Sequence, residues 1–129
     1  MVFTQTEIDY LESQPLGRLA TSRPDGTLQV NPVGFRYNPE LGTIDIGGHE
    51  LTKSHKFRNV ADNGRVAFVV DDLASVDPWR PRYVEIRGHG EAIPTDTGTG
   101  HMPGPIIRVH PRRIISWGLG EERNARNVA

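Results

Sequence analysis

Apolar positions along this chain follow two rhythms, a helical one at the start and in the middle, and a shorter alternating one elsewhere. The helical rhythm opens at once. Thr4 and Glu7 form a T-x-x-E capping box, Phe3 and Ile8 flank it at staple spacing, and Ile8 and Leu11 share a face. Pro15 cannot extend that helix and ends it near Gln14. The alternating rhythm then takes over. Gly17 to Ser22 is a candidate strand, and Arg23-Pro24-Asp25-Gly26 carries strong turn chemistry. Thr27 to Tyr37 resumes extended structure, with Pro32 marking an edge or bulge because it has no amide to donate. Asn38 to Gly42 turns the chain, and Thr43-Ile44-Asp45-Ile46 alternates as a half-buried strand does.

The helical spacing returns from Lys53 to about Asp62, with Thr52 as the expected cap and Asn63-Gly64 as the stop. Phe57, Val60 and Ala61 mark its core face. Beyond it, Arg65 to Val70, Tyr83 to Ile93, Ile106 to Val109 and Arg112 to Trp117 read as strands, the last two parted by Pro111. Asp72 to Arg80 and Pro94 to Pro105 read as loops, the second with three glycines and three prolines. Short strands joined mainly by turns predict a mainly β domain, an antiparallel barrel or sandwich carrying two short helices.

Composition narrows the chemistry. At 129 residues one domain spanning 1–129 is expected. A net charge of −1 argues against nucleic acid, whose phosphates call for a basic excess. With no cysteine, disulfides, thiolate metal sites and thiol nucleophiles are all excluded. Residues 1–20 lack a basic start followed by an apolar run, and no stretch approaches the roughly 20 apolar residues of a membrane span. A cytoplasmic protein without membrane association is the expectation. Thirteen of the fifteen basic residues are arginine, and the two lysines, Lys53 and Lys56, stand three positions apart.

Those lysines lie in the most informative segment, His49 to Asn59, which enters the second helix after Gly47-Gly48. A helix start presents unpaired amides and the positive end of the dipole, which together favour an anion. Thr52 and Ser54 add hydroxyls, and Lys53 and Lys56 add compact point charges, a combination suited to a phosphate. The plainer alternative is a surface helix with solvated charges. Walker spacing is absent, as is a G-x-S-x-G elbow. Gly98-Thr99-Gly100 lacks the strand-to-helix setting of a dinucleotide fingerprint. Asp71 and Asp72 read as a turn rather than an acid/base pair, and His101 and His110 lack grouped ligands for a metal. Trp79 and Trp117 read as core or interface aromatics. With no self-sufficient acid/base or nucleophilic set, the chemistry points to a bound cofactor.

The order of Leu16-Gly17-Arg18-Leu19-Ala20-Thr21, the Arg23–Gly26 turn, Gln29-Val30-Asn31-Pro32-Val33 and the Thr52–Asn59 block resembles the pyridoxamine 5′-phosphate oxidase-like superfamily. Arg82 to Gly88 and Pro111 to Trp117 extend the likeness, which runs from about Thr6 to Leu119. Within that superfamily it is most similar to the small actinobacterial flavin- and deazaflavin-dependent oxidoreductases. The resemblance implies a six-stranded antiparallel split β-barrel of the FMN-binding type and a homodimer with its cofactor at the subunit interface. It implies that Ser54 and Lys56 hold the cofactor phosphate with Thr52 and Lys53 nearby, and that Val30 to Val33 line the ring through backbone groups. The resemblance also implies that Tyr83 approaches the ring from the partner subunit; His49 is a candidate cofactor contact and proton donor. Where the pyridoxamine oxidases begin and end this strand with basic residues, the chain has Gln29 and Gly34, and His55 replaces an arginine. The deazaflavin coenzyme F420 therefore ranks above FMN, and the implied activity is hydride transfer to an unsaturated small-molecule substrate. A flavin- or tetrapyrrole-binding protein without catalysis is the rival.

Overall fold

The fold is seen in a computed structural model that describes residues 2–95 and 102–129. Its first element, helix α1 (Gln5–Ser13), carries the capping box in full. The Thr4 hydroxyl accepts from the Glu7 amide at 3.1 Å, and the Glu7 carboxylate accepts from the Thr4 amide at 2.9 Å. Eight strands follow: β1 (Leu16–Ser22), β2 (Leu28–Gly34), β3 (Arg36–Asn38), β4 (Thr43–Ile46), β5 (Arg65–Ser75), β6 (Arg80–Ile93), β7 (Ile106–Trp117) and β8 (Asn124–Asn127). They form one curled antiparallel sheet in the order β2-β1-β5-β6-β7-β4-β3, with β8 added on β7. Helix α2 (His55–Asn63) packs against β1, β5 and β6. The enclosed face is apolar, built on Leu19, Ile44, Ile46, Phe68, Val70, Val84, Ile86, Val109 and Ile114. The mainly β expectation is met, with eight strands where six were expected.

Four local expectations change. The two pieces around Pro111 are one strand, because Gly88 opposite Pro111 absorbs an extra residue as a bulge. No side chain fits at Gly88: a Cβ there would lie 2.1 Å from the His110 carbonyl oxygen. Asp71 and Asp72 do not turn the chain, since β5 runs on to Ser75 paired with β6. That lengthening also shortens the expected 72–80 loop. All of β4 is buried instead of every second residue. Asp45 is enclosed because Arg108, Asn38 and Thr43 each donate to its carboxylate, at 3.0 to 3.2 Å. Burial alone would raise the Asp45 carboxyl, but those donors outweigh it and hold it below the usual range. Finally, β8 carries no apolar alternation and went unanticipated. It is fixed by Arg126, whose guanidinium reaches the buried Glu7 carboxylate at 2.7 and 3.0 Å.

Candidate functional site

The segment before α2 folds differently from the simple helix expected from Lys53. Leu51–Lys53 forms a short 3₁₀ turn, and Ser54 in extended conformation separates it from α2. Ser54, not Thr52, is the cap of α2. Its hydroxyl accepts from the Phe57 amide at 3.2 Å and donates to the Leu51 carbonyl at 2.6 Å. Glu50 enters the 3₁₀ turn with φ 49°, and Gly64 ends α2 in the left-handed region with φ 67°. The Arg58 guanidinium donates back to the Lys53 carbonyl at 2.8 Å and ties the two turns together.

This arrangement sets the two lysines apart in character. Lys53 is on the 3₁₀ turn, largely exposed, and 3.5 Å from the exposed Glu50 carboxylate. Lys56 is in the first turn of α2, half-buried, with no ion pair among the described residues. The amides of His55 and Lys56 likewise take no partner among the described residues, as expected of a helix start. His49, Thr52 and His55 are exposed around it.

Asn59 joins this helix to the sheet. It lies one turn beyond Lys56 on the same side of α2, and it is buried. Its amide donates to the Thr21 hydroxyl at 3.0 Å and to the Gln29 carbonyl oxygen at 3.4 Å, while Gln29 donates to Asn31 at 2.8 Å. One turn further on, Asn63 donates to the Ser22 carbonyl at 2.6 Å. Gln29, and Asn31 through it, are thus tied to the second turn of α2 by Asn59. Asn59 was not singled out from the sequence, where apolar spacing favoured Ala61; Ala61 is exposed and Asn59 takes its inward place.

Strand alternation sorts the remaining candidates. Gln29 and Asn31 face α2, and Val33 on the same side is buried in the core. Val30 and Pro32 project from the opposite, outer face, where Val30 is 63% exposed. Among the described residues β2 pairs only with β1, so backbone groups on its other side have no ladder partner there. Tyr83 is also on the outer face, opposite Asp71 in the ladder and 6.2 Å from the Trp117 ring. The structure therefore brings Gln29 and Asn31 to α2 and leaves Tyr83 on the other side of the sheet. Neither Trp79 nor Trp117 is a core residue; both are exposed.

The other polar groups are structural. Asp72 faces α1, where Arg82 donates to it at 2.7 and 2.9 Å and the Tyr10 hydroxyl at 2.8 Å. The Arg82 guanidinium holds the Asp72 carboxyl below its ordinary range, and burial beside that carboxylate pushes the Tyr10 phenol up. His110 meets Glu91 at 2.9 Å on the surface, and His101 lies outside the described residues. Among the described residues no three His, Asp or Glu side chains gather as metal ligands, and no helix is long and apolar enough to cross a membrane.

Residues 4–115 match the family model described as pyridoxamine 5′-phosphate oxidase. The chain is 49% identical over 121 residues to a 5a,11a-dehydrotetracycline/5a,11a-dehydrooxytetracycline reductase of Streptomyces rimosus subsp. rimosus, covering 92% of this chain and 85% of that one. A solved structure of an F420 reductase superposes with a TM-score of 0.60 at 30% identity, covering 82% of this chain and 94% of the other. A conserved hypothetical protein of Mycobacterium tuberculosis shares the fold, with a TM-score of 0.72 at 23% identity over 92% and 86% of the two chains.

Proposed function

Because this chain belongs to the pyridoxamine 5′-phosphate oxidase family of oxidoreductases, we propose that it is an F420-dependent reductase of a conjugated enone. The acceptor would be a polycycle of the kind its Streptomyces relative reduces. The observation that supports this reading is the Asn59 bridge, which ties α2, one turn beyond Lys56, to Thr21 of β1 and Gln29 of β2. In this reading the helix start is the anion site and the β2 amides are the ring site of one cofactor.

The residues present fit such a cofactor. Lys56 and the free amides of His55 and Lys56 suit a phosphate, with Lys53 and Thr52 adjacent. Ser54 acts by shaping the turn, since its hydroxyl is already committed on both sides. Gln29 and Asn31 present donors and acceptors to the edge of a flat heterocycle, and Val30 to Val33 contribute unpaired backbone groups along the strand edge. No basic side chain stands between Gln29 and Gly34, which supports a deazaflavin over FMN.

When bound, the deazaflavin supplies a hydride. The chain's part is to fix the ring, keep one face open to the acceptor, and let a proton reach the acceptor's adjacent carbon from solvent or from His49. Tyr83 cannot serve the same chain's cleft from the outer face of the sheet. That face carries exposed Leu16, Leu28 and Val30 with no cover, a patch suited to a second copy. In the homodimer we envisage, the partner subunit's Tyr83 faces the cleft.

The test is turnover. Reduced F420 mixed with the protein and 5a,11a-dehydrotetracycline should return to its oxidised absorbance, with one acceptor reduced per cofactor oxidised. Cofactor binding without oxidation by this or any other enone would instead favour a storage or sensing protein.

A further inference from the structure

The hairpin of β5 and β6 extends beyond the rest of the sheet. On one side β1 pairs β5 only as far as Val69, and on the other β7 meets β6 only from Tyr83 onward. The stretch from Asp71 to Arg82 is therefore a two-stranded arm with no flanking strand among the described residues. A free two-stranded hairpin is marginally stable in water. This one is braced at its root, where Asp72 takes two bonds from Arg82 and one from Tyr10 of α1, and the Arg82 guanidinium stacks 5.1 Å from the Tyr10 ring.

The outer face of that braced arm holds an open groove of about 670 Å³, walled by Leu73, Trp79, Pro81 and Tyr83. Trp79 is 67% exposed, so its indole has one free flat side. Asp71 and Glu85 stand at the rim. Each has an arginine companion, Arg18 at 3.6 Å and Arg87 at 2.8 Å, but these pairs are solvated and leave acceptor oxygens free. The volume lies within the range of drug-sized ligand sites. Apolar walls, one exposed indole and two rim carboxylates suit a flat fused-ring molecule with hydroxyl or ammonium donors along its edge.

We infer that this groove is the acceptor subsite, binding a planar polycyclic phenol or enone with Trp79 as the residue that sets specificity. The inference rests on the reductase reading above and adds to it where the acceptor sits. Because the groove shares its face with Tyr83, the acceptor bound there would approach the partner's cleft together with that residue.

The experiment is equilibrium dialysis with tetracycline, beside a separate F420 titration and the molar mass in solution. Wild-type protein should bind tetracycline. Trp79→Ala should weaken it about tenfold or more, as loss of one stacking wall does, with F420 affinity and molar mass unchanged. Trp79→Phe should restore most of the binding. Val76→Ser, at the same hairpin tip but outside the groove, should behave as wild type. If Trp79→Ala does not fold, Leu73→Ser carries the same expectation. The inference is overturned if tetracycline does not bind, or binds equally to Trp79→Ala. It is also overturned if Val76→Ser is as damaging, or if Trp79→Ala alters the molar mass, which would make Trp79 an interface residue. Failure of wild type to oxidise reduced F420 would overturn the reductase reading alone, since Trp79-dependent tetracycline binding is read without cofactor.

Discussion

Asn59 in α2 donates to the hydroxyl of Thr21 in β1 across 3.0 Å, with both residues buried. That contact decides where the start of α2 stands relative to β2, because Lys56 lies on the same side of the helix one turn earlier. Removing it leaves a buried hydroxyl without its donor and frees the helix to shift. Asn59→Ala should cost about 1–3 kcal/mol of stability, read from urea unfolding. It should also weaken F420 more than a surface change away from α2, such as Arg112→Ala, does.

The two lysines should not be equivalent. Lys56 is half-buried on the side of α2 that carries Asn59, whereas Lys53 is exposed and already near Glu50. Lys56→Ala should raise the F420 dissociation constant about tenfold, as loss of a charge-assisted contact does. Lys53→Ala should raise it less than about threefold, as expected of a solvated charge. Fluorescence titration of both variants checks the order.

Glu7 and Arg126 couple the first helix to the last strand, with the Glu7 side chain almost fully enclosed. Arg126→Ala would strand that carboxylate and should cost about 3 kcal/mol, the lower end for a broken buried pair because Arg126 is partly exposed. Burial would raise the Glu7 carboxyl, but Arg126 and the Thr4 amide together hold it low, as Arg108 and its companions hold Asp45. Both folded-state values thus lie below the unfolded ones. Their stabilisation is complete above the ordinary carboxylate range of about 4 and is lost as pH falls through the folded values. Thermal melts should be flat from neutral pH to about 5 and fall steeply below about 4, where those carboxyls titrate.

If the partner's Tyr83 completes the cleft, defects on the two sides must complement. Mixing Lys56→Ala and Tyr83→Ala subunits gives heterodimers with one intact site, so with F420 held well below the Lys56→Ala dissociation constant, random exchange should return about a quarter of wild-type activity above that of the unmixed variants. No recovery after exchange would place Tyr83 in its own chain's site or outside the chemistry.

Much of this could be read from local pattern. The capping box of α1 and the Arg23–Gly26 turn are short-range signals that stand where the residues put them, and the strand runs stand in order, though Thr27–Tyr37 divides into β2 and β3 and β5 and β7 run longer than expected. What escaped depends on distant partners. Thr52 is the cap expected from sequence, but it lies in a 3₁₀ turn with buried Leu51, and Ser54 caps α2 instead. Asp71 and Asp72 read as a turn until Tyr83 and Arg82 pair with them across the hairpin. The polar β8 announces itself through Arg126 meeting a glutamate 119 residues away. Asn59 was hidden for the same reason: an asparagine on a helix looks exposed until Thr21 and Gln29 are seen beneath it.

Side-by-side titration of the wild-type protein with F420 and with FMN tests the central claim most directly. The proposed site, a helix start with Lys56 beside a β2 that lacks basic side chains, predicts saturable F420 binding that weakens in Lys56→Ala, with FMN at least about tenfold poorer. Tight FMN binding without measurable F420 affinity would contradict the account.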